Sequence, residues 1–295
     1  MNIAIIGSKG LAKELGKSGT KSDLALYNTS FQGKYFTFIE PQTYPEKIQT
    51  LFQTLNMSQF AILYITKDIE KIALGESIIA LDILEKQGII FLDGVDEAEI
   101  LNLIKETNLK NYRIIKDVRE VMQFLANLNI ETIKEKPKVL IDHSFIVKSV
   151  GLVALGTVIS GEIKKYDKLY VYPSKKEVLI KSIQIHDKDF DKAECFDRVG
   201  LALKGVELED VERGNIIGEN LISTKKLDGV SITKNKFYKD EIPSNVMCIV
   251  GLQYVNAKIN ENSIDFSKEI VFDNEKVIIL TPDKKMRILG YAVKN

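Results

Sequence analysis

Residues 138–218 restrict the possible folds more tightly than any other stretch of the chain. They run as Ile141-Asp142-His143-Ser144-Phe145-Ile146-Val147, then Gly156-Thr157-Val158-Ile159-Ser160-Gly161-Glu162-Ile163, then Lys168-Leu169-Tyr170-Val171-Tyr172-Pro173, with further short runs at 178–185 and 198–206. Short β-branched runs of this kind, broken by glycine every five to ten residues, are the pattern of pleated strands. The glycines supply the positive φ that tight corners need. Together these features predict an antiparallel β-barrel and leave no room for a helix.

The order of the pieces adds a resemblance. A Gly-Thr-Val-x-x-Gly turn at 156–161 is followed by Arg-Val-Gly-x-x-Leu-x-Gly-Val-x-x-x-Asp-Val-x-Arg-Gly at 198–214. The pair resembles the second domain of translational GTPases of the elongation factor Tu kind, most closely the archaeal SelB-like branch that includes the pyrrolysine-associated elongation-factor-like protein. The resemblance implies a G-domain-like α/β fold with a parallel sheet of the P-loop NTPase type, followed by two small antiparallel β-barrels. The expected domains are 1–136, 137–224 and 225–295, with connectors at Ile133-Lys134-Glu135-Lys136-Pro137-Lys138 and Ser223-Thr224-Lys225-Lys226. The resemblance also implies that an aminoacyl end binds in a groove of the second domain, although no motif of this barrel assigns residues to it. Tyr166 and Phe196 stand where the family commonly has a turn glycine.

Upstream of the barrel the periodicity changes. Ile3-Ala4-Ile5-Ile6-Gly7 is a buried-strand run closed by glycine, and Leu11 and Leu15 follow at helical spacing. Strand, glycine turn and helix open a phosphate-binding α/β domain. The alternation continues with strands over 35–39, 60–65, 89–92 and 112–115, and with helices over 45–55, 74–86, 97–107 and 118–128. Such alternation predicts a mostly parallel sheet covered on both faces. After 225 the helical signal is absent, and six short strands are expected.

A P-loop requires Gly, four residues, then Gly-Lys-Ser/Thr, so that amides wrap the phosphates and a hydroxyl holds Mg²⁺. Counting from Gly7, those places hold Ala12, Lys13 and Glu14. The family resemblance offers a second alignment, in which residues 11–23 are the stretch just after a shortened loop and Lys13 is a helix surface residue. Gly16-Lys17-Ser18 does not substitute, because Leu11 stands where the first glycine belongs. The Mg²⁺-side Asp-x-x-Gly appears as Glu40-Pro41-Gln42-Thr43, and the guanine-reading Asn-Lys-x-Asp as Asp93-Gly94-Val95-Asp96. Lys116-Asp117-Val118 stands where the family that the chain resembles uses Ser-Ala-Lys to close over the base. A G-domain fold that no longer hydrolyses GTP is the expectation, with a vestigial nucleotide site at Gly7, Ser8, Lys9, Gly10, Lys13 and Asp96. Asp96 has a second expected use as a helix cap. No catalytic or metal-binding residue is expected, and no cofactor, GTP and Mg²⁺ entering only if the divergent site is active.

Charge narrows the partners. Lys+Arg and Asp+Glu both number 41 in the 295 residues, so no global field draws the chain to nucleic acid or membrane. Local basic clusters remain at Lys164-Lys165 and at Lys284-Lys285-Met286-Arg287, the expected contacts to RNA or a partner. Cys195 and Cys248 lie in apolar surroundings without metal spacing and read as buried free thiols of a cytoplasmic protein. His143 and His186, the only histidines, read as surface or packing residues. The expected function is elongation-factor-like binding of tRNA, ribosome or a translation factor, with no role for DNA or membrane. Two alternatives stand beside it: a divergent active GTPase using Lys9 or Lys13 for phosphate, and a protein–protein regulator that mimics a translation factor.

Overall fold

The structure, a computed structural model, describes residues 1–131, 133–282 and 286–295, with the side chain of Thr20 outside the described set. It divides into two units, Met1–Ile130 with Asn235–Lys239 and Thr281–Gly290, and Glu131–Lys234 with Asp240–Leu280 and Tyr291–Asn295.

The first unit runs β1 (Asn2–Gly7), α1 (Leu11–Leu15), β2 (Lys17–Lys21), β3 (Leu24–Phe31), β4 (Lys34–Pro41), α2 (Ile48–Asn56), β5 (Phe60–Thr66), α3 (Lys71–Ile83), β6 (Gly88–Asp93), α4 (Glu97–Ile104), β7 (Arg113–Ile115) and α5 (Val118–Asn127). The sheet order is β2-β3-β4-β1-β5-β6-β7. β1 is central because Ile3, Ala4, Ile5 and Ile6 are all buried, a run that suits a strand covered on both faces. It pairs in parallel with β4 and β5, and β6 and β7 continue in parallel. The helix expected after Gly7 is a single turn. The chain then returns as β2 and β3, which pair antiparallel with each other, and β3 pairs antiparallel with β4. Lys17-Ser18-Gly19-Thr20-Lys21 shows no apolar face because it is the edge of the sheet, where lysines discourage further pairing. Asp96 caps α4, accepting from Ala98 N at 2.8 Å, as expected.

Two later segments belong to this unit. Lys236 pairs with Asp82 at 3.1 Å and donates to the Glu106 carbonyl. Arg287 pairs with Glu76 in a fork, Nε to Oε1 at 2.8 Å and Nη2 to Oε2 at 2.5 Å, and its Nη1 donates to Pro45 O at 2.7 Å. The Tyr44 hydroxyl donates to the same Glu76 carboxylate at 3.0 Å. Arg287, expected on an RNA-facing surface, is therefore an internal residue with a side chain only 15% exposed. Its planar fork is used on a buried carboxylate. Lys284 and Lys285 lie outside the described residues.

The second unit begins with β8 (Lys138–Val147), β9 (Gly151–Ser160), β10 (Glu162–Lys164), β11 (Lys168–Tyr172), β12 (Lys176–Ile185), β13 (Lys188–Phe190), β14 (Lys192–Glu194), β15 (Arg198–Lys204) and β16 (Ile216–Gly218). The strands β11-β16-β8-β9-β15-β12 close into a barrel through the β11–β12 pairing. Val139, Ile141, Val158, Val171, Ile180 and Leu201 are among the residues that fill it. Tyr166 (φ 73) and Phe196 (φ 82) occupy the left-handed region that glycine fills without strain. Their amides nonetheless close the corners, donating to Ile180 O and Val158 O at 2.7 Å each.

β17 (Ile222–Asp228), β18 (Val230–Lys234), β19 (Asn245–Val250), β20 (Gln253–Ile259), β21 (Ser263–Phe272), β22 (Val277–Leu280) and β23 (Ile288–Lys294) complete the chain. They order as β17-β21-β20-β19-β22-β23-β18, a half-barrel where a small barrel was expected. Ser223-Thr224-Lys225-Lys226 belongs to strand β17 and is not a connector. Its polar character reflects an exposed strand. Gln253 acts as a backbone surrogate, its amide donating to Val250 O and Val271 O while its carbonyl accepts from Val271 N at 2.8 Å. Against it packs Gly214 (φ 93), where a Cβ would come within 2.8 Å of Gln253 Cγ. Cys195 and Cys248 are free and buried, and burial pushes the Cys248 thiol up to about 12. Among the described residues no helix is long and apolar enough to cross a membrane.

Candidate functional site

The loop Gly7-Ser8-Lys9-Gly10 leaves the carboxyl end of β1, the edge where parallel α/β sheets bind ligands. Each side of it is already engaged. Ser8 N donates to Tyr64 O at 2.8 Å, and the Ser8 hydroxyl meets that of Thr66 at 3.0 Å, which sews the loop to β5. Gly7 (φ 95) has no space for a side chain, since a Cβ would sit 2.4 Å from Tyr64 O.

On the other side, Gly10 N donates to Glu40 Oε1 at 2.8 Å, Gln42 Nε2 donates to Glu40 Oε2 at 3.1 Å, and Lys9 Nζ donates to Gln42 O at 3.0 Å. Glu40, at the end of β4, is 3% exposed. Burial pushes its carboxyl above the usual range, opposed by the Gly10 amide, the Gln42 amide and the Lys9 ammonium. The chain thus places an acid of its own against the loop amide.

The other expected residues do not join this group. Lys13 is exposed on α1 and Asp96 is spent as a cap, while Ala12 is fully buried. Glu14, at the P-loop hydroxyl position, faces solvent, and the carboxylate that meets the loop is Glu40. The signal for it was present in Glu40-Pro41-Gln42-Thr43, an acid at the tip of the strand beside β1. At Asp93-Gly94 the Asp93 carboxylate accepts from the Tyr64 hydroxyl at 3.3 Å, and burial, reinforced by this carboxylate, raises the phenol.

A second site lies in the closed barrel. Asp142 on β8 and Arg198 on β15 form a forked ion pair, Nη2 to Oδ2 at 2.9 Å and Nη1 to Oδ1, with side chains 4% and 10% exposed. Arg213 Nε donates to the Asp142 carbonyl at 2.9 Å. Above them opens a cleft of about 360 Å³, walled by His143, Ser144, Leu208 and Arg213, with Glu209 and Glu212 also lining it. His143 is exposed and its ring lies 5.7 Å from that of Phe145. Phe145 and Ile146 stand exposed farther along β8, at 37% and 69%. A cleft that presents Arg213 and the His143 ring, with Arg198 held on Asp142 beneath it, can receive a polar group and stack a flat one. The motif arginines at 198 and 213 were legible in sequence, but their shared partner Asp142 was not, since it lies on another strand. Of the remaining guesses, Lys164 is exposed and paired with Glu162 at 3.0 Å, and Lys165 Nζ lies 5.1 Å from the Tyr166 ring centre.

The family model for elongation factor Tu domain 2 matches residues 151–218. Over 96% of this chain and 95% of the relative, the sequence is 37% identical to the uncharacterized protein MJ0325 of Methanocaldococcus jannaschii. It is 31% identical over 91% of its length to the selenocysteine-specific elongation factor of the same organism, of which it spans 62%. Among solved structures, translation elongation factor SelB from Methanococcus maripaludis in complex with the GTP analogue GppNHp superposes with a TM-score of 0.85 at 22% identity, over 100% of this chain and 79% of that one. The apo form of that protein gives 0.82. At such identities the structural likeness speaks for the fold.

Proposed function

The chain belongs to the SelB-like branch of the translational GTPase superfamily, and from that membership we propose that it is an elongation-factor-like binding protein that engages tRNA without using GTP. The observation that carries the second half of this reading is the Glu40 carboxylate on the Gly10 amide. A triphosphate brought to the same amide would meet a buried acid, and like charges at close range in a poorly solvated site repel strongly. α1 adds little attraction, because a five-residue helix sums few peptide dipoles. The groups present do not fit a magnesium triphosphate.

Titration of the protein with GTP and Mg²⁺ in a calorimeter is expected to give no binding heat at millimolar nucleotide. Grafting a Gly-x-x-x-x-Gly-Lys-Ser loop between Ile6 and Leu11 is expected to restore only weak binding, without preference for GTP over ATP. Guanine reading needs Asn and Lys where Asp93 and Gly94 stand, and each lost bond to a charged group costs about 1.5–3 kcal/mol. Two such losses amount to roughly a hundredfold or more in affinity. A tight, guanine-selective graft would refute the reading.

The RNA half rests on family membership and on the barrel cleft, where Arg213 and the His143 ring, with Phe145 beside that ring farther along β8, offer a cation and stackable rings to a single-stranded end. Filter binding of bulk tRNA over a salt series is the test. Retention should fall with log salt at about −0.7 per phosphate neutralised. Absence of retention at low salt would remove tRNA as the partner while leaving the nucleotide result untouched.

A further inference from the structure

At the opposite edge of the α/β sheet, where β5 and β6 begin, lies an open cleft of about 550 Å³. Lys86 lies at its wall, flanked by Phe60 and Tyr112 and by the amides of Gln87, Asn108 and Asn111. The chain reaches this point by ending α3 in a tight turn. Glu85 takes the left-handed conformation (φ 49), and Lys86 N closes back on Leu81 O at 3.1 Å, the C-terminal motif that reverses a helix. Gly88 follows, and it must be glycine: a Cβ there would lie 2.6 Å from both Ala61 O and the Tyr112 ring. The Tyr112 hydroxyl donates to the Lys86 carbonyl, so both the backbone under the lysine and the aromatic wall beside it are held in place.

The Lys86 amine is half-buried and makes one hydrogen bond, to Ser58 O at 2.7 Å just beyond α2. Among the described residues no carboxylate pairs with it. Asp82, the acid on the same helix, is occupied by the Asn108 amide at 2.7 Å and by Lys236 at 3.1 Å, and Glu85 is exposed on the turn. With Tyr112, whose phenol burial raises, these are the titratable groups about the cleft among the described residues. An ammonium desolvated without a counter-ion is disfavoured, and burial alone pulls Lys86 down to about 8.

We propose that Lys86 is a nucleophilic lysine and a site of acylation, its cleft admitting a small activated acyl compound of the thioester or acyl phosphate class. In the step, the neutral amine attacks the acyl carbonyl, the C–N bond forms and the C–S or C–O bond breaks. The leaving thiolate or phosphate carries away the electron pair, and the nitrogen releases one proton. Nothing is oxidised or reduced. The amide produced keeps one N–H, enough to maintain the bond to Ser58 O, so acylation removes a charge without removing that contact.

At pH 7.5 an amine with a pKa of about 8 is about one quarter free base, against about one part in 800 for an ordinary lysine near 10.4. If an amine loses nucleophilicity with pKa as thiolates do, roughly tenfold of that advantage survives. The test is timed labelling of the native protein with S-acetyl-N-acetylcysteamine at pH 7.5, read by peptide mass spectrometry. Lys86 is expected to acetylate roughly ten times faster than the median lysine, and to lose that lead when the same labelling is done in denaturing urea. Acetyl phosphate, tested in parallel, distinguishes the two acyl sources. A Lys86 rate at or below the median with both reagents would overturn the proposal. So would a lead that persists in urea, because the fold would then not be its cause.

Discussion

Asp142→Ala should lower the stability of the closed barrel by about 3–5 kcal/mol, because it leaves the Arg198 guanidinium buried with its partner gone. The charge cannot be relieved by deprotonation, since arginine holds its proton under all ordinary conditions. In urea, with an unfolding slope of about 1–3 kcal/mol per molar, such a loss moves the midpoint by about 1 M or more. Because a chain of two units need not unfold in one step, the measurement should be residue-resolved. Hydrogen exchange at β8, β9 and β15 is expected to accelerate while β5 and β6 are unchanged. The double variant Asp142→Leu with Arg198→Met should recover most of the loss, since apolar groups of similar size often replace a buried ion pair without penalty. A single-variant cost below 1 kcal/mol would mean that water reaches the pair.

Glu76→Ala should have an effect of the same size in the other unit, again about 3–5 kcal/mol. The carboxylate is 3% exposed and serves both the Arg287 fork and the Tyr44 hydroxyl. Its removal leaves the guanidinium without this counter-ion, though still on the Pro45 carbonyl, while the phenol keeps the Ala73 carbonyl at 3.0 Å. The loss should appear first as faster exchange in 286–290 and in the middle of α3, since Arg287 is the tie between them. Glu76→Gln should cost less, because the amide oxygen still accepts one of these bonds. Equal costs for the two variants would show that packing, and not charge, holds the segment.

The alternation of strands and helices from 60 to 127 could be read from sequence because the parallel strands β5 and β6 are buried on both faces and announce themselves as apolar runs. The edge strand β2 could not, for the opposite reason: an edge needs no apolar face, and Lys17 and Lys21 suit it there. β17 was hidden likewise, its Thr224-Lys225-Lys226 facing outward along a strand that buries Leu227. Motif counting showed that the loop after β1 lacks the residues of a phosphate cradle. It did not show what takes their place, because Glu40 reaches Gly10 across thirty residues and only the β1–β4 pairing brings them together. Arg287 was misassigned for a related reason. A basic residue beside two lysines looks like part of a charged surface until Glu76, 211 positions away, is found beneath it.

The packing of Gly214 against Gln253 carries a consequence for how such sequences drift. Residue 214 ends the most recognisable run of the closed barrel, yet the atom that forbids it a side chain belongs to the half-barrel. Inherited change at the two positions should therefore be linked. A lineage that shortened Gln253 would gain room near residue 214 but would lose the three hydrogen bonds by which that glutamine holds the backbone at Val250 and Val271. A lineage that discarded the half-barrel would release residue 214 from this steric veto, leaving only its positive φ to favour glycine. The Arg-Gly ending that identifies one domain is in part a record of its neighbour, and in a descendant reduced to the closed barrel it should be among the first places where that record fades.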